Sequence, residues 1–456
     1  MRDLIISLLL FGLMPVCYRK PFVGLAVFSW LAYMRVQDLT WGFARGMRWS
    51  YYVAIVTFAG FLVSRERKKW FEKDPRCYVM LTLALLIGMG IIASQDASVR
   101  QFSRYLEYVK IVAVALFTTA IVTTRERLRV ILWIVALSFA FFGVKSGLMG
   151  LANGGQAIIR GPGGMLADNN DFSLALSMGV PMLFYLGWSE RRKEIRKVFF
   201  LSLPLTVITV GLTRSRGGFL SVAGAIGMLV WRSKNRLAGI LAGFVVAVVA
   251  LVMAPAEYKE RLLTMLEPSK EGSAASRLRA WGIATRMALD NPVFGVGMYK
   301  FRQHYSQYSL TSTEGEHIIV AHSSYFQIWA ECGTPALLLY FSLILGSFFT
   351  CWRVRAEARR RYYSSWIINY ANMFEASLVA FVIGSAFLNR AHFDLFYHWV
   401  ALVMAFGLIA RREMAQELGG TMRTEGGRGE LEAVARPGFA RRTLHGRASV
   451  PVLGGR

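Results

Sequence analysis

Residues 77–93 read CYVMLTLALLIGMGIIA, 17 positions without a charge. A membrane-spanning helix needs about 17–25 mostly apolar residues. Twelve further apolar runs lie near 4–17, 22–35, 49–64, 107–123, 129–147, 171–188, 198–213, 218–231, 237–254, 325–350, 369–388 and 393–410. Arg19, Lys20 and Pro21 interrupt the first two of these, which read as one broken span or two short ones. Lipid offers the backbone no hydrogen-bond partners, so such runs cross it as helices. The expectation is an all-α polytopic membrane protein with about 12 transmembrane helices.

Composition leads to the same class. Of 456 residues 55% are hydrophobic, roughly 250 positions. Twelve spans of about 20 residues consume nearly all of them, which excludes a soluble enzyme with one core. An aromatic content of 13% excludes disorder except locally. Cys17, Cys77, Cys332 and Cys351 are scattered without pairing or metal-ligand spacing, so a disulfide scaffold is excluded as well.

The net charge of +25 would suggest nucleic acid in a soluble chain. Here the clusters Arg65–Lys69, Arg125–Arg129, Arg191–Lys197, Arg232–Arg236 and Arg353–Arg361 each fill a short gap between apolar runs. Cytoplasmic loops retain Lys and Arg, so the charge reports topology, and no nucleic-acid partner is expected. The alternate gaps, 36–48, 94–106, 148–170, 214–217, 255–324 and 389–392, then face outward. No small-residue cleavage site follows the first run, so no removable leader is expected. The organisation reads as N-terminal helices over 1–254, an outer loop over 255–324, C-terminal helices over 325–412 and a disordered, Gly- and Arg-rich cytoplasmic tail over 413–456.

A loop of about 70 residues needs structure of its own. Ser273 can cap a helix starting at Ala274, and Asp290-Asn291-Pro292 ends it. Arg277, Trp281, Ala284 and Ala288 share one face of that helix, as do Arg279, Ile283 and Arg286. The loop also carries His304, His317 and His322.

His322 stands where this loop meets an apolar helix. Its plain role is an interfacial hydrogen bond. Its chemical role is that of a base at neutral pH. Glu331, nine residues on, falls on the opposite helical face and is no orienting partner. Thr213-Arg214-Ser215-Arg216-Gly217-Gly218 closes a span on the outer side, where arginines are disfavoured. They pair with lipid phosphate or loop carboxylates, or they form an anion site, with the two glycines letting a headgroup approach. Arg160, in the gap 148–170, joins Arg214, Arg216, Arg277 and Arg279 as a candidate ligand-binding cation. Asp168-Asn169-Asn170-Asp171 offers carboxylates, but these read better as the cap of a helix beginning near Phe172. No zinc spacing, P-loop, dinucleotide fingerprint or GxSxG elbow occurs. Gly161-Pro162-Gly163-Gly164 reads as loop punctuation. Glu107, Lys145 and Glu375 do not form the intramembrane chain expected of a proton-coupled transporter.

These residues together resemble the O-antigen ligase and polymerase superfamily, which includes bacterial O-oligosaccharyltransferases. The resemblance runs from Ser276-Arg277-Leu278 and Trp281 through Asn291-Pro292-Val293-Phe294-Gly295-Val296-Gly297 and Phe301. It continues to Ala321-His322-Ser323-Ser324-Tyr325 and Glu331-Cys332-Gly333, and upstream it includes Ser215-Arg216-Gly217-Gly218. It implies a glycosyltransferase of the bacterial inner membrane whose active site faces the periplasm. The implied donor is an undecaprenyl-diphosphate-linked glycan. The implied acceptor, in the ligase branch, is a sugar hydroxyl of lipid A-core, completing lipopolysaccharide. It carries the catalytic role to His322 and donor binding to Arg216 and Arg277, with membrane lipids around it and no cofactor or metal. Ser323 stands where many relatives have Asn. Leu39-Thr40-Trp41-Gly42-Phe43 looks like a subfamily linked to exosortase-type systems.

Two rivals stand beside the ligase reading. A polymerase or protein O-oligosaccharyltransferase would use the same donor with another acceptor. A glycan transporter would need paired halves and charges lining a central path, and the sequence shows neither.

Overall fold

The computed structural model describes residues 2–64, 74–94, 98–233, 235–237, 239–241, 272–310, 318–360 and 364–425. Two compact units divide the chain, 1–414 and 415–456. The described residues are helical, without strands. In order, α1 spans Arg2–Arg19, α2 Pro21–Met34, α3 Phe43–Gly46, α4 Trp49–Val63, α5 Arg76–Ala93, α6 Val99–Ile121, α7 Arg125–Ala152 and α8 Asn169–Ser189. They are followed by α9 Lys193–Leu212, α10 Arg216–Arg232, α11 Gly272–Asp290, α12 Phe301–Tyr308, α13 Ser324–Arg360, α14 Ser365–Ser385 and α15 Asp394–Glu425.

Seven of these are long and apolar enough to cross a membrane: α5, α7, α8, α9, α13, α14 and α15. The shorter α2 and α4 are apolar but have only 14 and 15 residues. The expectation of about 12 spans thus meets seven strong candidates among the described residues. The apolar run near 237–254 lies almost wholly outside them. The first two apolar runs are separate helices broken at Lys20, the residue before Pro21, where proline disfavours helical backbone. The last helix passes the boundary expected at 412 and continues to Glu425; residues 426–456 lie outside the described residues.

Helix α8 is central, with 83% of its apolar window buried against α7, α9, α10 and α14. Small residues let the backbones approach, as expected where lipid supplies no hydrophobic drive between helices. Gly143 of α7 leaves room for Thr206 of α9, and Thr209 Oγ1 donates to Gly143 O at 2.6 Å. Phe381 and Phe396 stack at 4.4 Å between α14 and α15.

The gaps that the charge pattern assigns to one side meet at one end of the bundle. Gly163 and Gly164, both at positive φ, pack on the Arg35–Asp38 ion pair. Lys300 Nζ donates to Ser94 Oγ at 2.9 Å, and Gln101 Nε2 to Met298 O at 3.0 Å. Among the described residues, two of the basic clusters meet at the other end, where buried Arg355 and half-buried Arg232 both donate to Glu375.

Candidate functional site

The site begins at the N-terminus of α8. Asp168 caps it, accepting from the Asn170 N–H at 2.8 Å. Arg160 forms an isolated antiparallel bridge with Asp168, which returns the preceding loop to this point. Asn169 Nδ2 donates to Thr213 O at 3.0 Å, and Ser215 Oγ donates to Asn170 Oδ1 at 2.7 Å. Ser215 in turn caps α10 by accepting from the Gly218 N–H at 3.1 Å. The turn carrying Arg214 and Arg216 is therefore locked to the cap of α8. Arg214 has φ +53, a backbone that costs a non-glycine residue energy and that concentrates at functional sites.

The Gly217-Gly218 pair does not open the backbone to a ligand, as its sequence suggested. Both glycines are buried, Gly217 against Leu388 and Gly218 against Ser173. Their job is helix packing. The turn places Arg214 and Arg216 at the positive end of α10.

The second half of the site is held by α11. Its buried face, with Ala280, Ile283, Ala284 and Met287, packs on Phe301, Tyr305, Ala321 and Ala330. The helix runs from Gly272, two residues before the start expected at Ala274. Trp281 Nε1 donates to Ala321 O at 2.9 Å, and its ring stacks on Phe326 at 5.2 Å. Beyond α11, the Asn291–Gly297 loop clasps a kink in α13 at Gly333. Val296 N–H donates to Ala330 O at 2.8 Å, Gly297 N–H to Glu331 O at 3.0 Å and Thr334 N–H to Pro292 O at 2.8 Å. Gly295 has φ +65 and Gly333 φ +85, and a Cβ on either would collide with the other segment's backbone. Buried Glu331 accepts from Phe301 N–H at 3.3 Å and Gln327 Nε2 at 3.2 Å, so it braces the clasp.

His322 follows Ala321 directly and is half-buried, at φ +46. Desolvation first, and then the Arg277 guanidinium, hold its imidazole below the usual range, while Asp168 pulls it upward. That coupling brings His322, Arg277 of α11 and the α8 cap into one electrostatic neighbourhood. Neutral imidazole can accept a proton. The other outer-end histidines differ. His304 is paired with Gln307 on α12. His392 is buried beside Tyr108 and Tyr299, and burial holds it at about 4. His317 lies outside the described residues.

Arg279 sits two residues from Arg277, about 200° round the helix, and is exposed on another face. Arg160 is exposed beside the Asp168 bridge. Asp171, read from sequence as part of a cap, is instead buried and paired with Arg390. Arg390 also donates its N–H to Ser324 Oγ at 2.8 Å, and that hydroxyl donates to Leu388 O at 2.7 Å. The α14–α15 turn is thereby tied both to α8 and to the residue two past His322. Sequence reasoning missed Arg390. Among the described residues, no cluster of three or more His, Cys, Asp or Glu side chains is disposed to hold a metal ion.

Residues 198–341 match the family model described as O-Antigen ligase, and residues 1–187 match that of a family of unknown function, DUF5935. No curated protein matches the chain. The ligase-type match spans the Arg214–Arg216 turn, α11, the clasp and His322. Arg160, Asp168 and Asp171 fall within the other.

Proposed function

We propose, for a chain that belongs to the O-antigen ligase superfamily, that it transfers a glycan from undecaprenyl diphosphate to a sugar hydroxyl of lipid A-core on the periplasmic side of the inner membrane. Family membership supports ligase- or polymerase-type glycosyl transfer in general. Donor and acceptor follow from the family resemblance; the observation that carries the site is the Trp281–Ala321 hydrogen bond, which joins the Arg277 helix to the backbone before half-buried His322, beside the Arg214–Arg216 turn tied to the α8 cap. A base and several fixed cations then share one end of the bundle, where lipid-anchored donor and acceptor would both reach.

In this mechanism neutral His322 takes the proton of the acceptor hydroxyl as its oxygen attacks the anomeric carbon. The bond from that carbon to the diphosphate oxygen breaks, and the diphosphate leaves with the electron pair. Direct displacement inverts the anomeric centre. Arg216 and Arg277 bind the departing diphosphate, with Arg214 beside them; guanidinium forks suit phosphate oxygens. Arg160 and Arg279, more exposed, are assigned to the glycan. The gathering of the outer gaps at this end supports a periplasmic site, because the Arg232 and Arg355 clusters lie at the other.

The test is a reconstituted reaction. Purified protein, donor and candidate acceptors are incubated and the product identified. A lipid A-core product that disappears in His322→Ala, by about 10²–10⁴-fold in rate, supports the assignment. A product extended on the lipid-linked glycan itself, or on protein, replaces the acceptor. Near-normal turnover in His322→Ala removes the base.

A further inference from the structure

We propose that a groove at the end of the bundle opposite His322 is a binding site for one anionic phospholipid. The cavity has a volume of about 980 Å³ and lies between α2, α7 and the turn after α8. Helix α8 starts at the Asp168 cap and ends at Ser189. Its 21 residues span about 31 Å, near the thickness of a bilayer's hydrocarbon layer. The groove's mouth and the candidate active site are thus one membrane thickness apart.

The mouth is basic. Arg125, Arg129, Arg191 and Arg192 line it, against Glu126 and Glu190. Glu190 is already engaged, accepting from Arg129 Nη2 at 2.5 Å and from the Arg192 N–H at 2.9 Å. Two guanidinium planes are set by stacking, Arg125 over Trp366 at 4.5 Å and Arg129 over Trp133 at 4.9 Å. A surplus of two positive charges beside a membrane boundary favours an anionic headgroup over a zwitterionic one, and basic pockets between spanning helices are where such headgroups bind.

The rest of the groove is apolar. From Val130 to Phe141 its wall on α7 is about 17 Å long, close to the ~15 Å acyl layer of one leaflet. Val130, Leu137 and Phe141 are exposed, while Trp30 and Met34 close the far side. A cationic mouth continuing into an apolar channel of acyl length matches an amphiphile with a phosphate head. A soluble anion would leave the channel empty.

The full chain, purified in detergent, is offered equal phosphatidylglycerol and phosphatidylcholine, and retained lipid is counted by native mass spectrometry. Wild type is expected to keep phosphatidylglycerol over phosphatidylcholine by about fivefold. Arg125→Gln/Arg191→Gln/Arg192→Gln should erase that preference, and the corresponding triple Lys variant should restore most of it. Leu137→Trp, which fills the channel and leaves the mouth unchanged, should lower retention of both lipids. Equal retention by wild type, a preference that survives the Gln variant, or unchanged occupancy in Leu137→Trp each overturns the site.

Discussion

The indole N–H of Trp281 donates to the carbonyl oxygen of Ala321 at 2.9 Å, and the next residue is His322. One hydrogen bond thus joins the loop helix that carries Arg277 to the backbone that presents the proposed base. Trp281→Phe keeps a ring to stack on Phe326 but removes the donor, leaving a buried carbonyl oxygen unsatisfied at about 1 kcal/mol or more. The variant is expected to insert normally and to lose transfer about tenfold to a hundredfold through displacement of the base. Unchanged turnover would mean that Trp281 only fills space.

The pH dependence separates the charges around His322. Burial and Arg277 lower its pKa, and Asp168 raises it. The base therefore stays neutral to lower pH than a free imidazole, and the rate declines only as pH falls through that depressed value. Arg277→Gln removes a positive neighbour, so the pKa rises and the acidic limb moves to higher pH. Asp168→Asn removes a negative one and moves it lower. Profiles are compared after normalising each variant to its own maximum. Shifts in the same direction would sink the coupling.

The clasp between the Asn291–Gly297 loop and the α13 kink predicts a stability effect. Alanine at Gly333 must accept φ +85 and press its Cβ onto Val293 O; at Gly295 it must accept φ +65 against Ala330 O. Each should cost about 2–3 kcal/mol, read as a lower thermal midpoint. Alanine at Gly282, whose nearest neighbour is the end of the flexible Arg286 side chain at 3.7 Å, should cost nothing and is the control. Equal midpoints in all three would show that the clasp contributes no stability.

Much of the helix order was legible because a spanning helix must be apolar in one unbroken run, and composition within the run is enough to find it. Two kinds of residue were not legible. Arg390 sits in a four-residue gap where a lone cation looks like any loop charge; only the fold brings Asp171, 219 positions away, to its side. Gly217 and Gly218 carry no local sign that they meet Leu388 and Ser173, so they read as an open backbone. His322, Arg277 and Arg216 were singled out because each belongs to a short motif of the family resemblance, and their roles stand as proposals. The Asn291–Gly297 motif was visible without its purpose, since its partner Gly333 lies nearly forty residues on.

The Asp171–Arg390 pair allows a direct test of what sequence missed. The Asp171 side chain is 6% exposed and that of Arg390 38%. Removing a fully buried partner costs about 3–5 kcal/mol, and the exposure of Arg390 reduces this to ~2 kcal/mol. Arg390→Leu is expected to lower the thermal midpoint, and Asp171→Asn/Arg390→Gln to recover most of the loss by exchanging an ion pair for a neutral hydrogen bond. A double variant as unstable as the single one would place the effect elsewhere in the turn.

The last prediction concerns metal. A diphosphate donor brings about two negative charges, which many glycosyltransferases meet with a divalent ion held by carboxylates. Here Asp168 is occupied as the cap of α8 and Asp171 is paired with Arg390. The turn anchored to that cap instead presents Arg214 and Arg216, and Arg277 acts on His322 from α11. The backbone that carries Arg214 and Arg216 is anchored to the α8 cap, so their charge stands at the site without a metal to bring it. Transfer is therefore expected to survive EDTA and to gain nothing from Mg²⁺ or Mn²⁺, while Arg216→Lys, which keeps the charge but loses the fork, falls at least tenfold. A rate that collapses with chelator and returns with a divalent ion would move the role to the Asp168–Asp171 stretch. Full activity in Arg216→Lys would leave charge alone, without the guanidinium geometry, as the basis of diphosphate binding.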